Sequence, residues 1–246
     1  FMGGGSPTRR NDIDYITIAS EGDGTDFGNL TESVGFMGGA SSSTRGLRMG
    51  GTTPSRVNTI DYVEMATLGD ALDFGDLTSA PSVPGSLSSP TRGFRIGGNI
   101  ENPSVVRVSI IEFVTIASKG NAIRFGDMTT IKDNCRGNVQ SQTRGIIAAG
   151  RAETGNEFSF VEFITMASEG NSTMFGDLTR AHSAPAGASN QVRGLFYAGG
   201  NSTPYSNIID FITIATTGNA QDFGDASQTI NNASGLSDSH GGLGGF

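Results

Sequence analysis

A unit of about fifty residues is copied five times along this chain of 246 residues. Each copy contains the phrase Phe-Gly-Asp or Phe-Gly-Asn, and successive copies of the phrase are 47, 51, 50 and 48 residues apart. A period of this length is typical of a propeller or a solenoid, in which one supersecondary unit packs against copies of itself. The marker residues are Phe27, Phe74, Phe125, Phe175 and Phe223. We therefore expect a single domain over residues 1–246, with approximate repeat units at 1–44, 45–91, 92–143, 144–192 and 193–246.

Four segments in each unit have the composition of β-strands. The first is rich in Ala, Ser, Pro and Gly, and the second begins Arg-Gly and ends near a double glycine. β-Branched and aromatic residues, which favour strands, crowd the third segment, as in residues 209–215. The fourth carries the Phe-Gly-Asp phrase and follows a Gly-Asn or Gly-Asp pair such as Gly218-Asn219. Such pairs favour tight turns, so we expect the third and fourth segments to form an antiparallel hairpin.

The third segment has apolar residues on both of its faces, with Phe211 on one and Ile212 on the other. A strand of this kind is typically covered on both sides. Four antiparallel strands per unit, packed between two neighbouring units, describe a propeller blade. The sequence therefore predicts an all-β fold, a five-bladed β-propeller with four antiparallel strands in each blade.

Both ends of the chain contain pieces of the repeat that would complete one shared blade. Residues 1–5 match a second segment that lacks its preceding inner strand, and residues 227–237 match that missing strand. We therefore predict that the N- and C-terminal segments pair and close the ring. Residues 239–245 also match a second segment and compete for the same position. Either this tail frays or the chain is part of a longer array.

Charge and composition disfavour several classes of partner and activity. The formal net charge of −8 and the pI near 4.7 oppose the basic surface that binding of nucleic acid requires. No apolar run is long enough to span a bilayer, so membrane insertion is not expected. Cys135 is the only cysteine, and His182 and His240 are the only histidines. We therefore expect no disulfide framework, metal site, cofactor or enzymatic activity.

The aspartates of the repeated phrase and the arginines that begin the second segments form a further repeated set. A ring of such aspartates could bind Ca²⁺ or a ligand over a central channel. Alternatively, each aspartate caps a turn or pairs with a repeated arginine. We favour this scaffold role, because packing of identical units requires the same residues in each. The aspartates are Asp76, Asp127, Asp177 and Asp225, and the arginines are Arg45, Arg92, Arg144 and Arg193.

Recognition is expected where the repeats differ, since loops carry function while repeated strands hold them in place. Arg56, Arg107 and Tyr205 have side chains that could stack on a sugar or hydrogen-bond to it. An ordinary solvated loop is the alternative for each of them. The most variable loops follow the double glycine, at residues 52–58, 99–107, 151–157 and 201–207.

The order of the four segments resembles the kelch repeat. The Gly-Gly pairs that end the second segments look like the kelch double glycine, and Tyr62 and Phe113 look like the aromatic residue that follows it. Kelch repeats have tryptophan where this chain has Phe74, Phe125, Phe175 and Phe223. The resemblance implies a kelch-like propeller.

The phrase Gly-Asn-Ala-x-Asp-Phe-Gly-Asp, at residues 218–225, is similar to repeats in structural and appendage proteins of marine tailed phages, especially those of cyanobacteria. This resemblance implies a structural or host- or partner-recognising component of a virion, such as a tail fibre, appendage or decoration protein. Its implied location is a virion or the extracellular space. The implied partners are other virion or assembly proteins and host-surface glycans, and a homo-oligomer is a further alternative. A lectin-type extracellular propeller and a propeller enzyme such as a glycosidase remain open alternatives.

Overall fold

The structure, a computed structural model, describes residues 2–3, 8–101, 103–197, 199–200, 205–230 and 232–235. These residues form 21 β-strands and no helix, so the all-β prediction is confirmed. Accordingly, this part of the chain has no helix able to cross a membrane. All pairings between these strands are antiparallel, as predicted.

The chain begins with a three-stranded sheet and continues with four four-stranded sheets, which are blades of a propeller. The N-terminal sheet consists of β1 (Met2–Gly3), β2 (Arg10–Tyr15) and β3 (Thr25–Val34). Blade 1 consists of β4 (Gly38–Ser41), β5 (Arg45–Met49), β6 (Thr59–Glu64) and β7 (Leu72–Asp76). Blade 2 contains β8 (Gly85–Ser88) and β9 (Arg92–Ile96), then the separate hairpin β10 (Asn99–Glu101) and β11 (Val105–Arg107), then β12 (Ile110–Thr115) and β13 (Ile123–Asp127).

The last two blades repeat the same order of strands, from the inner edge of the sheet to the outer edge. Blade 3 consists of β14 (Val139–Gln140), β15 (Arg144–Ala148), β16 (Phe158–Thr165) and β17 (Thr173–His182). Blade 4 consists of β18 (Ala186–Ser189), β19 (Arg193–Tyr197), β20 (Ile208–Thr213) and β21 (Gln221–Asp225).

The prediction of five four-stranded blades is wrong, because the described residues form four such blades and a three-stranded N-terminal sheet. The inner strand expected at residues 227–237 is not a strand at 227–230 or 232–235. Gly235 packs against the inner strand of blade 4, where a Cβ added to it would lie 2.2 Å from the carbonyl oxygen of Gly187, and Gly187 packs in the same way against Gly137 of blade 3. Residues 236–237 of the expected strand lie outside the described residues.

Closure of the ring by pairing of the two terminal segments is also not found among the described residues. β1 pairs with β2, with Met2 opposite Asp14, so the N-terminal segment takes the second-strand position. The competing segment, residues 239–245, lies outside the described residues. No hydrogen bond joins the described part of the N-terminal sheet to blade 4, and Phe223 on β21 is 53% exposed. The first and last sheets therefore each leave one side open to solvent.

The third and fourth strands of each unit form the expected hairpin, but the turn lies earlier than the Gly-Asn pair. In blade 4 the turn closes where the N–H of Thr216 donates to the carbonyl oxygen of Thr213 at 3.2 Å. The N–H of Gly218 instead donates to the carbonyl oxygen of Phe175 in blade 3, at 2.9 Å. The Gly-Asn pair is therefore a contact between blades rather than the tip of a hairpin.

The hydrophobic core lies between the sheets, in four clusters that each draw residues from two consecutive sheets. We call each such interface a seam. In the seam between blades 2 and 3, Phe125 belongs to the same cluster as Ile164 and Met166. Its ring meets that of Phe94 edge-on, with centroids 5.3 Å apart. Because burial of apolar surface drives folding, each sheet depends on its neighbour for stability.

Candidate functional site

The repeated Phe-Gly-Asp phrase lies on the outer strand of each sheet, at the seam with the next sheet. Four of the five marker phenylalanines are buried there, with at most 4% of their surface exposed. A register shift in the hairpin of blade 3 leaves Phe175 out of the strand ladder, so its carbonyl oxygen accepts the bond from Gly218. The residue after the phenylalanine is glycine because any side chain would clash there: a Cβ at Gly176 would lie 2.2 Å from the carbonyl oxygen of Gly218. The phrase therefore joins neighbouring sheets. The buried members are Phe27, Phe74, Phe125 and Phe175.

The repeated aspartates lie on the same outer strands, away from the inner strands that line the centre of the propeller. The backbone N–H of Asp177 donates to Oδ1 of Asn219 at 3.1 Å, and its carbonyl oxygen accepts from the N–H of Ala220 at 2.7 Å. Its Oδ1 accepts a bond from the hydroxyl of Ser159 at 3.0 Å. The backbones of Asp76 and Asp127 make the same contacts with the next blade. These contacts are of the kind that a scaffold role requires, and Asp225 has no such neighbour among the described residues.

The repeated arginines contact aromatic rings rather than the repeated aspartates. Each guanidinium lies over the ring of the third strand in its own blade, with the Cζ atom 4.4–4.9 Å from the ring centroid. Arg144 also donates to the carbonyl oxygens of Ile214 and Ala215 in the next blade, both at 2.9 Å. Arg45 and Arg92 likewise donate to carbonyl oxygens of the next blade, so three of the four arginines join neighbouring blades, whereas Arg193 is exposed. The pairs are Arg45 with Tyr62, Arg92 with Phe113, Arg144 with Phe163 and Arg193 with Phe211.

The two arginines that the sequence suggested as ligand-binding residues are engaged within the chain. Nη2 of Arg56 donates to Oδ1 of Asn99 at 2.9 Å. Arg107 lies 3.0 Å from Oδ2 of Asp133 and 2.9 Å from Oε2 of Glu153. Contacts of this kind tie neighbouring loops together and leave these guanidinium groups less free for a ligand.

Asp133 connects these loops from a fully buried position. Besides Arg107, it accepts a bond from Nδ2 of Asn99 at 3.1 Å and lies 3.5 Å from Nε of Arg151. The structure therefore brings Arg56 and Arg107 into one network through Asn99 and Asp133. Tyr205 is half-buried in a loop whose residues 201–204 lie outside the described residues, and His240 lies outside them too.

A cavity of about 1060 Å³ lies at the centre of the propeller. Its walls include residues of or beside the inner strands β4, β8, β14 and β18 and residues 232–235, and it also extends over the N-terminal sheet and blade 1, as at Leu30 and Tyr62. Ala, Gly and Ser dominate these strands, because large side chains from four converging strands would fill the same space. Ligand sites are typically concave, with a few convergent polar groups. This cavity is therefore our candidate site.

Two polar groups of the cavity with unused hydrogen-bonding capacity are Arg136 and Asn138. Arg136 is half-buried and makes no hydrogen bond or ion pair with another described residue. Nδ2 of Asn138 donates to the carbonyl oxygen of Ser86 at 3.2 Å, whereas its Oδ1 is buried without a partner. A buried carbonyl left unpaired destabilises a protein by roughly 1–3 kcal/mol, so an incoming donor would be favoured there.

Burial lowers the pKa of the Arg136 guanidinium, and the negative charge of Asp133 opposes that shift. The direction of the shift means that this cation is poorly solvated where it lies. Its planar fork of N–H donors matches a carboxylate or a pair of hydroxyl groups. Together, Arg136 and Asn138 offer donors and an acceptor to a hydroxyl-rich or carboxylate-bearing molecule.

The sequence interpretation missed these residues because it assigned recognition to the loops after the double glycine. A signal was present, since the first segment of blade 3 carries Lys132, Asp133 and Arg136 where residues 79–86 contain no charge. For metals, the described residues contain no group of three or more His, Cys, Asp or Glu side chains that could hold an ion.

No protein-family model matches the chain, and no curated protein matches it. The geometry of the seams and of the cavity is therefore the basis for a functional proposal.

Proposed function

We propose that this chain is a non-enzymatic structural and host- or partner-recognising component of a phage virion, such as a tail fibre, appendage or decoration protein. The similarity of residues 218–225 to phage appendage repeats supports this role. The contacts of the repeated charged residues also support it, because they hold neighbouring sheets together. In this role the propeller holds a recognition surface in place, and what it recognises is decided by the site rather than by the fold.

The repeat itself is kelch-like in this proposal. The double glycines follow the second strands of the blades, as at Gly97-Gly98 after β9. The aromatic of the third strand and the phenylalanine of the fourth lie close together, as with Tyr62 and Phe74, whose ring centroids are 5.8 Å apart. This phenylalanine takes the place of the kelch tryptophan as the residue that seals the seam.

The recognition site in this proposal is the central cavity, and its ligand is a hydroxyl-rich or acidic saccharide of a host surface. The observation that carries the proposal is that Arg136 and Asn138 line the same cavity, where Oδ1 of Asn138 is buried without a partner and Arg136 has no hydrogen bond or ion pair to another described residue. A carboxylate or vicinal hydroxyl groups would pair with the arginine, and a hydroxyl donor would satisfy the amide oxygen.

Calorimetric titration with neutral sugars and with uronic acids tests this site. We expect uronic acids to bind more tightly than their neutral counterparts, and Arg136→Ala to weaken binding by about tenfold or more. Arg124→Ala is the matched control, because this arginine lies exposed on β13 and pairs with Asp127 outside the cavity. Equal binding by both variants, or no binding of any sugar to the parent chain, would contradict the proposal.

A lectin-type propeller outside any virion is the second candidate, and the same cavity supports it. Peptide mass spectrometry of purified marine phage particles distinguishes the two. Peptides of this repeat in the particles support the virion role. Their absence from the particles, together with sugar binding by the isolated chain, supports the lectin.

A further inference from the structure

The last blade presents an exposed copy of a surface that is buried everywhere else. Phe223 is 53% exposed, whereas its four counterparts are exposed by 4% or less. A Cβ added to Gly224 would meet no atom within 4 Å, although the equivalent glycine in blade 3, Gly176, has no room for one. We call residues 223–227 together with Phe211 and Arg193 the C-terminal face.

The N-terminal sheet exposes the opposite half of the same seam. Ile16 is 44% exposed and Ile18 is 67% exposed. The residues equivalent to Ile18 in the last three blades are each 1% exposed, because a preceding sheet covers them. We call Asp14, Ile16, Ile18 and residues 22–24 the N-terminal face. The equivalent residues are Ile116, Met166 and Ile214.

The backbone groups of these two faces are complementary, as the seam between the N-terminal sheet and blade 1 shows. There the N–H of Gly69 donates to the carbonyl oxygen of Phe27 at 2.9 Å, and the N–H of Asn29 donates to Oδ1 of Asp70 at 2.9 Å. By position, Gly22 and Asp23 correspond to the Gly-Asp pair of that seam, and Phe223 and Asp225 correspond to Phe27 and Asn29. These groups make no contact between sheets among the described residues.

The polar side chains of the two faces are also complementary. Across the first seam, the hydroxyl of Thr31 donates to Oδ1 of Asp61 at 2.7 Å. Ser227 and Asp14 stand at the equivalent positions, and both are exposed. Arg193 is exposed as well, although its counterpart Arg144 bonds to carbonyl oxygens of the next sheet.

We propose that a second copy of this chain docks its N-terminal face on the C-terminal face of the first, which extends the series of seams from one molecule to the next. The occupant matches because four seams within the chain already join the same two surfaces. Within one chain, the described parts of the two faces are not joined by a hydrogen bond. Such head-to-tail contacts use two different surfaces, so they generate rings or filaments.

Sedimentation velocity over a range of concentrations tests the proposal with the intact chain and two variants. Phe223→Arg blocks the C-terminal face, and the double variant Ile16→Arg with Ile18→Arg blocks the N-terminal face. Both faces are exposed, so we expect the variants to remain folded. Val105→Arg is the matched control, because this exposed residue lies in the β10–β11 hairpin, outside both faces.

The parent chain and the Val105→Arg control should form larger species as concentration rises, and each blocked variant alone should stay monomeric. An equimolar mixture of the two blocked variants should form a one-to-one dimer, because each supplies the open face that the other lacks. The proposal is overturned if the parent chain is monomeric throughout, or if a blocked variant assembles as well as the parent.

The variant Phe223→Trp reports on the contact directly, because the chain contains no tryptophan. We expect its emission to shift to the blue as concentration rises, when a second copy covers the ring. A blue-shifted emission in a monomer at every concentration would mean that the chain covers this face itself, and would overturn the proposal.

Discussion

Phe175 and Phe223 occupy the same position in consecutive repeats, yet one is 4% exposed and the other 53% exposed. The rings have similar partners within their own sheets, since Phe175 meets Phe163 edge-on at 6.2 Å and Phe223 meets Phe211 edge-on at 6.1 Å. The difference is the next sheet, which covers Phe175 and leaves Phe223 open. Burial in this fold is therefore decided by the neighbouring sheet, whereas the local geometry is decided within the repeat.

The largest expected difference in stability is between replacing a buried marker phenylalanine and replacing the exposed one. Phe125→Ala should lower the free energy of unfolding by roughly 3–5 kcal/mol, because it removes a ring from a closed seam and leaves a cavity. Phe223→Ala should cost less than about 1 kcal/mol in the dilute chain, since this ring is half in solvent. Urea unfolding followed by circular dichroism measures both, and equal losses would contradict the comparison.

The acid of the third strand is buried in blade 3, as Glu162, but exposed in the N-terminal sheet, as Asp14. In blades 1 and 2, Arg48 and Arg95 of the second strand pair with the acid of the third strand. Blade 3 has Ile147 at that position, and Lys132 from the preceding connection lies 3.3 Å from Oε1 of Glu162 instead. Both side chains are fully buried. The lysine therefore replaces a charge that the repeat has lost.

Lys132→Met should lower the free energy of unfolding by roughly 3–5 kcal/mol, because it leaves the charge of Glu162 buried and unpaired. Adding Glu162→Gln should recover most of this loss, since the uncompensated charge is then absent. Asp14→Asn is the matched control. Asp14 is the equivalent acid of the N-terminal face and is exposed, so this substitution should leave the free energy of unfolding almost unchanged. If the single and double variants are equally unstable in urea, the ion pair is not the cause.

Replacing the glycines of the repeated phrase with alanine should reduce stability by an intermediate amount. Gly176→Ala should cost roughly 1–3 kcal/mol, because the new Cβ would lie 2.2 Å from the carbonyl oxygen of Gly218. Gly224→Ala has free space around it and only its φ of +140° to accommodate, so about 1 kcal/mol is expected. Thermal unfolding compares the two variants, and a larger loss for Gly224→Ala would contradict the explanation from packing.

The smallest expected effect is a dependence of stability on pH, which arises at the seam between blades 3 and 4. Burial lowers the pKa of His182 below its ordinary value of 6.5, and the charge of Arg180 lowers it further, whereas Asp210 and Glu157 raise it. The unfolded chain then binds the proton more readily, so stability should fall as pH drops below about 6.5. The melting temperature at pH 7 and pH 5 should differ less in His182→Gln. An unchanged difference would exclude this histidine as the cause.

Much of the fold was predictable because it depends on local patterns. The apolar third strands and the glycine-ended second strands form where their composition indicates, and so do the small inner strands of the four blades. The turn between the third and fourth strands was placed wrongly, at the Gly-Asn pair. Nothing in the local sequence shows that Gly218 is held by Phe175 of the preceding blade, since that contact spans two units.

The candidate site was less predictable than the fold. Arg56 and Arg107 have the chemistry of ligand-binding residues, but the structure engages them with Asn99, Asp133 and Glu153. Arg136 was available in the sequence as a charge in a segment of small residues. Its significance depends on the inner strands converging on one cavity, which is a property of the assembled sheets.

The sequence by itself determined the repeat, the strands and their antiparallel pairing, because hydrophobic alternation and backbone preferences act over a few residues. Only the tertiary structure decided how many sheets are complete, which phenylalanine remains exposed and which arginine faces the cavity without a partner. Those outcomes depend on what lies beside each sheet. Similar repeats have similar local preferences, so equivalent residues differ in burial where a neighbouring sheet is present for one copy and absent for another.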